Sequence, residues 1–395
     1  MDSQQIKALT DTYIMATYAR FDVALDRGEG ATLYSPEGRA YVDFTSGIGV
    51  NSVGYGNKAW AEAIFHQALR LQHVSNLFYT EPAARLAQEL VKRTSLKKVF
   101  FANSRAESNE GAIKLARKYS RDKYGEGRSV IVTLERSFHG RTITTLSATG
   151  QEVFHQHFFP FTEGFRHVPA GDIEALEKEL SKGDVCALMM ELVQGEGGVL
   201  PLPKEYVSRA AALCREKDIL LICDEVQTGV GRTGALFAFQ QYGLQPDVAT
   251  FAKGIAGGLP FGGFMAGEKC ADVLTAGTHA TTFGGNPVCA AAALAVLDTL
   301  TPELLAEVRR KGEAIRQTIS GWGLPAVKEV RGLGLMIGVS LKDVKPGDVA
   351  ARCIEKGLLI LTAGGDALRL LPPLVISDEE VEKGLAILKS VLEEL

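Results

Sequence analysis

Residues 218–260 read DILLICDEVQTGVGRTGALFAFQQYGLQPDVATFAKGIAGGLP, and this stretch decides the fold. Ile219 to Cys223 is a short, almost wholly apolar run, the pattern of a parallel strand covered on both faces. It ends at an acid pair, Asp224-Glu225. A second strand, about Val248 to Ala252, ends at Lys253 and is followed by the glycine-rich turn Gly254-Ile-Ala-Gly-Gly-Leu-Pro260. Ligands of open parallel sheets sit off the carboxyl ends of the strands, so an acid and a lysine are expected to meet in one crevice.

That pairing suits pyridoxal phosphate. The lysine forms the Schiff base, and the acid pairs with the pyridine nitrogen and keeps it protonated, so that the ring acts as an electron sink. Taken singly, a lysine after an apolar strand is usually a solvated surface residue, and an Asp there is often only a helix cap. With DEVQTGVGRTG and AKGIAGG both intact, the stretch closely resembles the class III (subgroup II) pyridoxal-phosphate-dependent aminotransferases. The resemblance covers nearly the whole chain. It implies an α/β protein of the fold type I transferase class, with a large domain built on a mainly parallel sheet and a smaller α+β domain. Residues 1–45 are then the N-terminal part of the small domain, 46–290 the large cofactor-binding domain, and 291–395 the C-terminal small domain.

The chain as a whole allows this. Its 395 residues are enough for two or three domains and a large core, and 46% apolar with 23% charged residues is ordinary globular composition. A net charge of -4 gives no reason to expect nucleic acid or an anionic membrane as partner. No apolar run approaches the roughly 18 residues that span a bilayer. The N-terminus lacks a basic segment followed by an apolar block, so no secretory signal is expected. The six cysteines show no C-x-x-C pair and no metal-ligand spacing. Cys186, Cys223 and Cys289 read as buried thiols, which suits a reducing cytosol. His155, His157 and His167 pair with no acid or cysteine at ligand spacing, so no metal site is expected.

The remaining motifs follow in chain order. Pro36-Glu37-Gly38 is a turn between two strand-like runs. Where the family commonly carries Gly-His-x-His-Pro, this chain has Gly54-Tyr-Gly-Asn-Lys58, and residues 73–82, HVSNLFYTEP, resemble a segment that lines the family's pocket. Val99 to Ala102 reads as a strand, and Ser104-Arg-Ala-Glu107 as a capping box opening a helix. Such a helix start, pointing into a crevice, is also an anion site. In the family the cofactor phosphate sits here on the backbone of a Ser-Gly-Ala turn, which assigns Ser104, Arg105 and Ala106 to phosphate binding. Arg105 stands where the family has glycine. Arginine would forbid a positive φ and crowd the ligand, or would fold its guanidinium against the phosphate; the sequence leaves both open.

Residues 128–142 give another buried strand ending in Phe138-His-Gly-Arg141. The resemblance implies that Phe138 stacks on the cofactor ring and that Arg141 holds the substrate carboxylate, for which a planar fork is suited. A strand from Val185 to Val193, with Glu191 near its end, leads into Gln194-Gly-Glu-Gly-Gly198, which contains Glu196. Family resemblance pairs Glu196 with a second arginine before Pro-Pro near the C-terminus, and Arg369-Leu-Leu-Pro-Pro373 fits. Thr282, in HATTFGGNP, is assigned to the phosphate of the neighbouring subunit, which implies a homodimer. The last hundred residues read helix, strand (Gly334 to Val339), helix, strand and a final helix capped by Ser377-Asp-Glu-Glu380.

The implied enzyme is a cytoplasmic aminotransferase. Lys253 carries the cofactor and moves the proton between the substrate carbon and the cofactor's C4′. Asp224 holds the pyridine nitrogen, Val226 packs behind the ring, and Gln227 meets the phenolic oxygen. Arg369 leaves Glu196 when glutamate enters, so one site takes both a terminal amine and the α-amine of glutamate. The compact length and Phe-His-Gly-Arg-Thr most resemble family members that pass the terminal amine of N-acetylornithine to 2-oxoglutarate. Members acting on ornithine or 4-aminobutyrate share these features. A related aminomutase is a second reading, against which Arg369 with Glu196 argues. A cofactor-impaired homologue is a third, favoured only by Arg105.

Overall fold

A computed structural model describes all 395 residues. Its centre is a seven-stranded sheet. In spatial order the strands are Lys98–Ala102, Gly262–Ala266, Val248–Phe251, Leu220–Asp224, Val185–Met190, Val130–Leu134 and Phe165–Val168. Every pairing is parallel except the two made by Gly262–Ala266, which runs against both neighbours.

Leu220–Asp224 and Val185–Met190 are buried at every position, which is why their sequences are apolar without alternation. The alternation survives in what each side chain touches. Leu220 and Ile222 pack with Ala112 and Ile113 of the helix Arg105–Tyr124, whereas Leu221 and Cys223 join the core that holds Ala210 and Leu213 of the helix Lys204–Glu216. Gly111 lets the first of these helices lie flat on the sheet: a Cβ there would stand 2.2 Å from a ring carbon of Phe264.

Register sets the site. Cys223 is level with Met190, so Asp224 and Glu191 leave the sheet side by side, and Asp224 is level with Thr250, three residues before Lys253. The segments after Ala102 and Leu134 open at the same edge, because those strands run in the same direction.

The two chain ends meet on the flank of this unit. Arg27–Glu29, Thr32–Tyr34 and Ala40–Asp43 form antiparallel pairs, and Ala40–Asp43 then pairs in parallel with Leu358–Leu359. The final helix, Asp378–Glu393, starts with a full capping box between Ser377 and Glu380. Glu380 also accepts hydrogen bonds from the Ala31 amide and the Thr32 hydroxyl, both at 3.0 Å, so the cap doubles as a clasp on the N-terminal segment. A separate antiparallel sheet holds Val327–Leu333, Met336–Leu341, Ala367–Leu370 and Leu361–Ala363.

Two sequence expectations shift. The strand read at Gly334 to Val339 lies at Met336–Leu341, and its hairpin partner Val327–Leu333 has no counterpart in the reading. VKEVRGL is a part-exposed strand with charged residues, so it lacks the apolar signature of its buried neighbour. Cys289 is part-buried rather than buried, while all six thiols are free. No single helix is long and apolar enough to cross a membrane.

Candidate active site

Asp224 ends the central strand and is 1% exposed. Its Oδ2 accepts from Asn109 Nδ2 and His139 Nδ1, each at 2.9 Å, and its Oδ1 accepts from the Val226 amide at 3.1 Å. Asn109 also donates to the His139 carbonyl at 2.7 Å, so helix, loop and strand end are locked together. Burial opposes ionisation of Asp224, and the Arg105 guanidinium with His139 and Asn109 outweighs it, leaving the carboxyl well below the usual range.

Glu191 stands beside it and behaves oppositely. Burial pushes its carboxyl up to about 7, with Asp224 adding to the shift and Arg105 countering it. Its one close backbone donor is the Phe138 amide at 2.9 Å. One guanidinium serves both acids, and the acid with more donors keeps the charge.

That guanidinium belongs to Arg105. The residue is the first of the helix Arg105–Tyr124 and has no positive φ, so the turn does not demand glycine for its backbone. Its side chain runs inward: Nη2 is 3.4 Å from both Asp224 Oδ1 and Glu191 Oε1, and Cζ lies 5.3 Å from the centroid of the Phe138 ring. Nε and Nη1 are buried without a partner. The sequence left open a guanidinium folded against a phosphate; in this structure it lies against Asp224, Glu191 and Phe138. Ser104 caps the helix by accepting from the Glu107 amide, and Glu107 turns back to the amide of Asn103 rather than that of Ser104. The amides of Arg105 and Ala106 carry no side-chain cap.

Lys253 follows the neighbouring strand in a left-handed backbone conformation, φ 45°, uncommon for a side chain this long and typical of positions held for a purpose. Burial holds its amine well below the ordinary lysine range, the Arg105 cation adds to this, and Glu196 works against it. The shift favours the neutral amine, the form that acts as nucleophile and base.

The far wall comes from the second sheet and the 194–198 turn. Arg369 lies in Ala367–Leu370, level with Gly338, and is 3% exposed. Its Nη1 is 2.5 Å from Glu196 Oε1 and 3.2 Å from Gln227 Oε1, and Gln227 Nε2 donates to Glu196 at 3.3 Å. Gln227 is therefore engaged with the ion pair. Burial raises the Glu196 carboxyl, but Arg369 dominates and brings it down to about 2. Gly195 leaves room for this amide: a Cβ would stand 2.1 Å from Gln227 Oε1, and Gln227 would have to shift. At the mouth, exposed Arg141 lies over the rings of Phe154 and Phe138, its Cζ 4.2 and 5.6 Å from their centroids. Val226 is buried, and its amide donates to Asp224.

The crevice thus gathers Arg105, Phe138, Asp224, Val226, Gln227, Lys253, Glu196 and Arg369, with Arg141 at its rim. Thr282 stays apart and exposed, beside Phe283 at 61% exposure. Asn109 and His139 were given no role from sequence, and Glu191 no more than a place. Glu191 and His139 both follow carboxyl ends of strands, a signal available in the sequence; Asn109 sits on the inner face of a helix and had none.

The family model described as aminotransferase class-III matches residues 13–392. The chain is 54% identical to an acetylornithine aminotransferase of Haemophilus ducreyi, over 100% of both chains. It is 46% identical to one of Caldanaerobacter subterraneus subsp. tengcongensis, over 97% of this chain and 98% of the relative. The ornithine aminotransferase of Toxoplasma gondii superposes with a TM-score of 0.96 at 32% identity, covering 100% of this chain and 96% of that one. A second structure of that enzyme, TM-score 0.94 at 32% identity over 98% and 94% of the two chains, has pyridoxal phosphate at partial occupancy in its active site. The chain belongs to the class III aminotransferases.

Proposed function

We propose that this aminotransferase moves the terminal amine of N-acetylornithine, or a similar N-acylated basic amino acid, to 2-oxoglutarate, giving glutamate. The observation that carries the reading is the Arg369–Glu196 pair facing Lys253's crevice, with a second guanidinium, Arg141, at the rim. The amine donor brings one carboxylate and glutamate brings two. An arginine held by a neighbouring carboxylate is present for the second and neutralised for the first. The names of the closely matching relatives support N-acetylornithine as donor. Ornithine is the alternative, favoured by the likeness to the Toxoplasma enzyme.

Pyridoxal phosphate is the cofactor of this family. The residues suited to it are a buried ionised carboxylate, a lysine with a lowered pKa, an aromatic ring and the uncapped amides of a helix start. They fit the group except at Arg105, whose guanidinium lies against Asp224 and Phe138, where a ring between them would lie. When bound, the cofactor supplies an electron-withdrawing ring that acidifies the carbon bearing the substrate amine.

The protein's own part follows from its geometry. Lys253, whose pKa burial lowers, would take the proton from the carbon bearing the substrate amine and hold it for return. Asp224, ionised and braced by Asn109 and His139, would hold a positive ring nitrogen. Arg141 orients the carboxylate common to both substrates, and Arg369 exchanges Glu196 for the side-chain carboxylate of glutamate. The backbone amides at 105 and 106 are available to the phosphate.

We further infer a homodimer in which Thr282 reaches the neighbouring site. Leu77, Phe78, Tyr79 and Phe283 are exposed apolar or aromatic side chains, suited to cover by a second copy. Six free thiols suit a reducing compartment such as the cytosol.

The test is glutamate formation from 2-oxoglutarate in excess pyridoxal phosphate, with N-acetylornithine, ornithine and 4-aminobutyrate as donors. The expected result is a kcat/KM for N-acetylornithine at least tenfold above the others. Faster turnover of another donor would move the substrate assignment to it, and no glutamate from any of them would overturn the reading.

A further inference from the structure

The side chain of Arg105 makes contacts that suit a ligand. Its Nη2 approaches Asp224 and Glu191 at 3.4 Å each, and its Cζ stands 5.3 Å over Phe138. Charge-assisted hydrogen bonds are usually 2.7–2.9 Å, so both contacts are long. Nε and Nη1, buried in a residue only 9% exposed, have no partner at all. The guanidinium therefore fills the crevice without satisfying itself. It is the one cation between two neighbouring acids, yet it is poorly held.

We propose that Arg105 is an internal ligand of the cofactor crevice: its guanidinium takes the carboxylate of Asp224 and the face of Phe138, and pyridoxal phosphate binds only by displacing it. The proposal rests on the reading that Asp224 and Phe138 hold the cofactor ring. Two cations, the guanidinium and a protonated ring nitrogen, compete for one carboxylate. Removing the first has opposite effects on the two states of the protein. The cofactor-free state loses the cation between Asp224 and Glu191, and the cofactor-bound state loses a competitor.

The experiment measures pyridoxal phosphate affinity by the absorbance of the bound cofactor, and cofactor-free melting temperature, for wild type, Arg105→Gly and Arg105→Ala. Arg105→Ala keeps the helix propensity of the first turn, so a lower melting temperature reports the lost cation rather than glycine's flexibility. The expected result is affinity at least tenfold tighter in both variants, about 1.4 kcal/mol, together with a lower cofactor-free melting temperature. N-ethylguanidine is expected to restore the competition, weakening cofactor binding to Arg105→Gly and not to wild type. Affinity equal to or weaker than wild type in both variants would overturn the proposal.

Asp224→Asn in the Arg105→Gly background separates the two ideas. Lost affinity there, with no gain from Arg105→Gly alone, leaves Asp224 as ring partner and refutes the role of Arg105. No loss refutes the reading of Asp224. Should neither variant fold, a crystal structure of wild type saturated with pyridoxal phosphate decides. The guanidinium is expected away from Asp224, and a bound ring with Arg105 still on Asp224 would overturn the proposal.

Discussion

Arg369 Nη1 stands 2.5 Å from Glu196 Oε1 although the two residues are 173 positions apart in the chain. Glu196 comes from the turn between the short paired strands Val193–Gln194 and Leu200–Pro201, and Arg369 from the antiparallel sheet that holds Ala367–Leu370. The Gly364 amide donates to the Glu196 carbonyl at 2.9 Å, so a backbone hydrogen bond ties this turn to the segment after Leu361–Ala363.

Arg369→Ala is expected to slow the half-reaction with glutamate about 100-fold, the loss of a charge-assisted contact of up to about 3 kcal/mol. The half-reaction with N-acetylornithine should change only a few-fold. Single-turnover kinetics of each half-reaction check this, and equal losses in both would remove the exchange role.

Glu196→Gln leaves the guanidinium without its anion. The KM for glutamate is expected to fall and that for N-acetylornithine to rise, because Arg369 then stands ready for a second carboxylate at all times. Steady-state kinetics with each substrate read the split. A rise in both KM values would mean that Glu196 does no more than support the fold.

Much of this crevice could be read from the chain, for a definite reason. Strands buried on both faces, such as Leu220–Asp224, must be apolar throughout, so Asp224 at the end of one and Lys253 after the next announce themselves. What could not be read depends on side-chain direction. Arg105 has a choice between solvent, a phosphate and two buried acids, and only the register that sets Glu191 beside Asp224 makes the inward path favourable. Gln227 turns to Arg369 because Gly195 leaves it room. Val327–Leu333 escaped notice because a part-exposed strand carries charges where a buried one cannot.

Arg232 is 2% exposed and has no carboxylate bonded to it; it donates to the carbonyls of Leu335 and Pro372 at 3.0 and 2.6 Å and to Ser46 Oγ at 3.2 Å. Burial brings its guanidinium down to about 9, Asp43 acting in the other direction. Three segments meet on this one side chain, and Pro372 is close behind Arg369. Arg232→Ala is expected to cost at least roughly 3 kcal/mol through unpaired carbonyls and an unfilled volume. Urea unfolding measures it, and a loss below about 1 kcal/mol would contradict the role.

Stability should also depend on pH through Glu225. Burial pushes this carboxyl up to about 7 from 4.5, despite hydrogen bonds from Thr228 and the amides of Ala238 and Phe239. A carboxyl raised in the folded state binds its proton more tightly there than in the unfolded chain. Its contribution is complete below pH 4.5 and is lost as pH rises through 7. At 1.36 kcal/mol per unit, the loss is up to about 3 kcal/mol. Glu225→Gln should lower stability at pH 5, since an amide nitrogen cannot accept, and flatten the decline towards pH 8. Denaturant unfolding of the cofactor-free protein across that range reads both effects, and an unchanged slope would place the titration elsewhere.

The most direct measurement is borohydride reduction of the protein saturated with pyridoxal phosphate, followed by mass mapping of its peptides. Reduction fixes the cofactor to whichever amine carries it. The expected result is a pyridoxyl phosphate label on Lys253 and on no other lysine, stronger in Arg105→Gly than in wild type at limiting cofactor. A label on another lysine, or none on Lys253 in either protein, would contradict the central claim that the crevice between Lys253 and Asp224 is the cofactor site.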